Sequence, residues 1–91
     1  MDLTELRTEI DAIDDALIAL FVRRMAVAAK IADYKKQHDL PILVPAREAE
    51  KLRDVAQKAG PEMADYTRQL YLILFELSRS YQAAHNTGVT E

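Results

Sequence analysis

From Leu3 to about Gln37 the chain carries neither proline nor glycine. Through that stretch the apolar residues recur as Leu3, Leu6, Ile10, Ile13, Leu17, Leu20, then Val27, Ile31 and Tyr34, in steps of three and four. Such spacing places them on one stripe of a single long helix, in the manner of a heptad seam. Asp2 is positioned to cap that helix, and Glu5 three residues on completes a capping-box pattern. Pro41 disfavours helix at Leu40, so the helix should end near Gln37, His38 and Asp39. Roughly 35 residues at about 1.5 Å each make a rod of about 50 Å. A compact chain of this length has a radius of gyration of only about 12 Å. The rod therefore overhangs whatever the remaining residues can cover. Hydrophobic residues make up 49% of the chain, but many are alanine, so a core built by one copy would be thin. The simplest partner for the seam is the same helix of a second copy.

The remainder reads as two shorter helices. Residues 38–44 connect, and Pro45 suits the first position of helix 2. Helix 2 should run to about Ala59 and stop at Gly60-Pro61. Its apolar face is Leu52, Val55, Ala56 and Ala59, with Glu48 at the head of that face and Arg47 leading the polar side. Helix 3 is expected from Pro61 or Glu62 to about Ala84, with a stripe of Met63, Tyr66, Leu70, Ile73, Leu74, Leu77 and Tyr81. Ser78 and Gln82 lie one turn apart and border that stripe. The expected architecture is all-α: one very long helix and two shorter ones, with the seam of the long helix paired to a second copy. Residues 1–84 form the helical domain and residues 85–91 a polar, flexible tail.

Composition removes several classes of function. With no cysteine there is neither a disulfide framework nor a thiolate metal site, and His38 and His85 alone do not make a zinc site. Net charge is −3 and the basic residues are interspersed with acidic ones, which argues against nucleic-acid binding. Asp2-Leu3-Thr4-Glu5 does not read as a signal peptide, and no run is apolar enough to span a membrane. The expectation is a cytoplasmic protein without metal or cofactor.

One seam position breaks the pattern: where a leucine is due between Leu20 and Val27 stands Arg24. A guanidinium there is costly unless something anionic meets it. Lys35 follows eleven residues later, on the same side of the helix and about 16 Å along it. Between them lie Val27, Ala28, Ile31 and Ala32, two of them small. Two long cations over a shallow hollow can close on an anion about the size of a sugar. Helix 3 can add Ser78 and Gln82, both neutral donors; helix 2 can bring Arg47 and Glu48 to the rim. Arg7 is seventeen residues from Arg24, some 25 Å along the rod. It reaches Arg24 only if two copies of helix 1 pack antiparallel. Taken singly, each residue has a plainer reading: Arg23 and Lys51 as solvated charges, Glu48 as a helix-dipole partner, Ser78 bonding back to its own helix. The combined set contains no activated nucleophile. It suits a dianion whose reaction needs charge stabilisation and restraint, not proton transfer.

Over nearly its whole length the chain resembles the all-helical class of chorismate mutases. Leu6-Arg7 followed by Ile10, Ile13-Asp14 and Leu17 is similar to that family's opening helix. Arg23-Arg24 and Ala32-Asp33-Tyr34-Lys35 match its central arginine and lysine. Pro45-Ala46-Arg47-Glu48 matches the pair that opens its second helix, and Glu76-Leu77-Ser78 with Gln82 its C-terminal serine and glutamine. The resemblance implies an intertwined homodimer that rearranges chorismate to prephenate, on the route to phenylalanine and tyrosine. It implies that Arg24 and the partner's Arg7 hold the two carboxylates, with Ser78 assisting. Lys35 and Gln82 would donate to the ether oxygen, Glu48 would accept from the ring hydroxyl, and Arg47 would border the site. Val44 departs from the pattern, since the family often has an acidic residue there. Three other readings stay open: an isochorismate pyruvate lyase-like enzyme, a non-catalytic helical dimerisation or regulatory module, and the mutase part of a larger bifunctional enzyme.

Overall fold

In the computed structural model, which describes residues 1–87, three helices follow one another: α1 (Leu3–Gln37), α2 (Pro45–Ala59) and α3 (Ala64–Asn86). No strand occurs among the described residues. The Asp2 side chain accepts the Glu5 backbone N–H at 2.9 Å, which caps α1 as its sequence suggests. At the other end Asp39 takes a left-handed conformation, φ +53°, which aspartate tolerates better than most side chains. The Asp39 N–H donates to the Lys36 carbonyl at 3.4 Å and the Leu40 N–H to the Lys35 carbonyl at 2.8 Å. These two reversed bonds terminate the helix and fold the connection back along it.

Pro45 opens α2 where its missing N–H is not needed. Gly60 ends it at φ +84°, a conformation that suits a residue without a side chain. Residues 61–63 then form a separate turn, closed by the Met63 N–H on the Gly60 carbonyl at 3.2 Å. For that reason α3 begins at Ala64 instead of Pro61 or Glu62. It continues through His85 to Asn86, two residues into the segment expected to be tail. His85 Nε2 meets Asp33 Oδ1 at 2.7 Å and Lys36 Nζ donates to the Asn86 carbonyl at 2.9 Å, tying this end to α1. The expected tail from residue 88 onward lies outside the described residues.

α3 packs on both α1 and α2, which do not pack on each other. The chain measures 54 × 31 × 14 Å with a radius of gyration of 16.2 Å, well above the roughly 12 Å of a compact chain. The buried apolar residues are Ala28, Ala32, Val55, Ala56 and Phe75. Three are alanines, so the one-chain core is as thin as the composition implies. On α2 the expected face turns inward. On α3 a different face does: Phe75, Ser78 and Gln82 are buried, while Tyr66, Leu70, Ile73, Leu77 and Tyr81 are exposed. The α1 seam is also uncovered, with Ile10, Ile13 and Leu17 at 58%, 60% and 56% exposure. Burying one such side chain is worth about 1.5–3 kcal/mol, so the fold leaves a large favourable term unused. No helix among the described residues is long and apolar enough to cross a membrane.

Candidate active site

Where the C-terminal half of α1, the first turns of α2 and the middle of α3 converge there is a cavity of about 390 Å³. The rod supplies Arg24, Ile31 and Lys35; α3 supplies Phe75, Ser78, Arg79 and Gln82. The head of α2 supplies Arg47, Glu48 and Lys51, and the folded-back connection adds Ile42 and Val44. Six residues singled out in the sequence thus line one space: Arg24, Lys35, Arg47, Glu48, Ser78 and Gln82. Arg7 does not join them in a single chain. It borders a separate hollow near the start of α1, among Leu3, Leu6, Glu9, Ile10 and Ile13.

The Arg24 guanidinium lies 5.9 Å from the centre of the Tyr71 ring, a cation–π contact that props a half-buried charge on an apolar stripe. Among the described residues no carboxylate pairs with it, so its charge is available to a ligand. Lys35 Nζ donates to the Ile42 carbonyl at 2.8 Å. That bond fixes the ammonium at the cavity wall and leaves it two more N–H donors. Ser78 and Gln82 are buried, and Gln82 Nε2 donates to Ser78 Oγ at 3.0 Å. The amide retains one further N–H on Nε2, while its Oε1 is buried without a partner. A buried amide half-satisfied within the protein is the kind of group that a bound ligand completes. Arg47 sits on the rim, 3.8 Å from Glu50.

Two charged lining residues were not anticipated. Lys51, read as a solvated charge, is half-buried in the cavity wall, 3.4 Å from Asp54. Asp54 is itself held below the usual carboxylate range, chiefly by a hydrogen bond from Lys58, with Lys51 adding to it. Arg79 is the larger omission. Its Nη1 donates to both oxygens of Glu48, at 2.6 and 2.5 Å. The miss follows from the phase assigned to α3. With Leu70, Leu74 and Leu77 taken as the packed stripe, position 79 falls outside it. With Phe75, Ser78 and Gln82 facing inward, 79 lies four residues after 75 and three before 82, on the same face. The available signal was an unpaired Glu48 at the head of α2 and an arginine directly after Ser78.

The lining holds five cationic side chains, Arg24, Lys35, Arg47, Lys51 and Arg79, against the single carboxylate of Glu48. That excess suits a doubly negative ligand, and small cavity size and fixed donors suit restraint of its conformation.

A family model described as chorismate mutase type II matches residues 6–83. A T-protein of Haemophilus influenzae is 44% identical over 61 residues, which is 64% of this chain and 16% of that protein. A bifunctional chorismate mutase/prephenate dehydratase of Aquifex aeolicus is 45% identical over 49 residues, 54% of this chain and 14% of the relative. A 4-amino-4-deoxychorismate mutase of Streptomyces venezuelae is 39% identical over 46 residues, 50% of this chain and 45% of the relative. The matched part is thus a small fraction of the T-protein and of the bifunctional enzyme. No solved structure matches the chain.

Proposed function

The chain belongs to the chorismate mutase type II family, and from that premise we propose that it rearranges chorismate to prephenate in a site completed by a second copy of itself. The observation that carries this reading is the convergence of Arg24, Lys35, Ser78 and Gln82, from two helices, on one cavity with Glu48 at its rim. Chorismate is a dianion with one ether bond to break. Arg24 would hold one carboxylate with Ser78 beside it, and Arg7 of the second copy the other. As the C–O bond lengthens, negative charge grows on the ether oxygen. Lys35 Nζ and the spare Gln82 N–H are donors suited to that charge, already in place before reaction. Confinement of the flexible substrate in its reactive shape supplies the rest of the acceleration.

The second copy is supported by what one copy leaves open. The α1 seam and the outer stripe of α3 are both exposed, and Arg7 stands remote from the cavity. The location expected from the sequence, the cytoplasm, belongs to the same reading.

The direct test is loss of chorismate absorbance on adding purified protein, with prephenate identified as product. Release of salicylate from isochorismate, with chorismate untouched, would assign the lyase reading instead. Turnover of neither compound would leave a helical dimerisation module. The 4-amino substrate in the Streptomyces relative's name is a further comparison, since it differs from chorismate by an amine in place of a hydroxyl.

The proposed chemistry also sets a pH profile. No histidine or cysteine lines the cavity, and these are the side chains whose ordinary titration lies nearest neutrality. The kcat/KM profile should therefore be nearly flat between about pH 6 and 8. A steep fall within that window would mean that a titrating group acts in the reaction.

A further inference from the structure

Arg79 lines the cavity, yet the proposed rearrangement gives it no task. It clasps Glu48 with one nitrogen on both carboxylate oxygens, at 2.6 and 2.5 Å. The two side chains remain 34% and 25% exposed and both border the cavity. The pair is thus open on one side to whatever occupies the site.

Glu48 is the sole carboxylate of that lining. A lone carboxylate accepts from a hydroxyl or from an ammonium, and it favours the ammonium by charge. Arg79 reverses this preference. Its guanidinium offsets the carboxylate's charge but leaves lone pairs on both oxygens. A neutral hydroxyl can still donate there. A protonated amine would approach a cation already seated on the acceptor, with Arg47 and Lys51 also in the wall. Val44 offers no side-chain acceptor to compensate.

We propose that Arg79, acting through Glu48, makes the site select a ring hydroxyl over a ring ammonium. This rests on the mutase reading, in which the substrate's ring substituent faces Glu48. Arg79 is then a positioning and specificity residue. It restrains Glu48 and sets the charge that the substituent meets.

The test compares kcat/KM for chorismate and for 4-amino-4-deoxychorismate in the wild type, Arg79→Met and Arg79→Lys. The wild type should prefer the hydroxyl substrate. Arg79→Met should move the ratio toward the amine by at least about tenfold, chiefly through KM for the amine. Arg79→Lys should restore the wild-type ratio. A second readout needs no variant. In the wild type, discrimination should narrow at a pH high enough to deprotonate the substrate amine, because the neutral amine is no longer repelled. Equal ratios in wild type and Arg79→Met, a wild-type preference for the amine, or discrimination that does not narrow with pH would each overturn the proposal while the mutase reading stood. A wild type that converts neither compound would instead overturn the mutase reading, and this one with it.

Discussion

Replacing Arg24 with alanine should lower kcat/KM for chorismate by about 10²–10³-fold, or about 3–4 kcal/mol, the order of loss expected when a desolvated carboxylate is left without its charged partner. The same change should leave the fold intact. Arg24 makes no ion pair among the described residues, and its contact within the chain is the Tyr71 ring at 5.9 Å. Removing a cation from an apolar stripe also removes its desolvation cost, and such replacements are often neutral or stabilising. The expected signature is thus unusual for a half-buried position: activity nearly gone, with thermal midpoint and helical circular dichroism unchanged or improved. Arg24→Lys should recover only part of the rate, because an ammonium cannot make the paired contact that a guanidinium makes to a carboxylate. Undiminished turnover in Arg24→Ala would show that the cavity is not where chorismate reacts. Loss of helicity in parallel with activity would show that the arginine serves the fold.

The helices themselves were legible because their signals are local. A run free of proline and glycine, Asp2 before it and Pro41 after it, bounds α1 to within a residue. Pro45 and Gly60 do the same for α2. The phase of α3 was not legible, and the reason is physical. That helix has two faces able to pack. One carries Tyr66, Leu70, Ile73, Leu77 and Tyr81; the other carries Phe75, Ser78 and Gln82. Hydrophobicity favours the first, yet the single chain packs the second against α1 and α2 and leaves the first to solvent. Periodicity locates an apolar stripe but says nothing of whether its partner lies in the same chain. This ambiguity concealed Arg79. The site residues on α1 needed no such knowledge. Arg24 stands out as a charge on a seam, and Lys35 by its spacing from Arg24.

The remaining question is Arg7, and mixing two inactive variants should answer it. Arg7→Ala and Arg24→Ala should each be nearly inactive alone. If each site draws Arg24 from one copy and Arg7 from the other, a mixed dimer carries one intact site and one doubly altered site. Random reassortment makes half the dimers mixed, so activity should return to about a quarter of the wild-type level. The seam supports this pairing through its own arithmetic. An antiparallel register that sets residue 7 beside residue 24 also sets Leu3 near Val27, Ile10 near Leu20 and Ile13 near Leu17. These exposed seam residues then meet apolar partners, and Leu6 lies beside Arg24. The experiment requires subunit exchange, which unfolding and refolding the mixture together would ensure. Recovery near a quarter would establish both the dimer and the exchange of arginines across it. A mixture no more active than its components, with mixed dimers shown to form, would mean that each cavity works with the residues of its own chain.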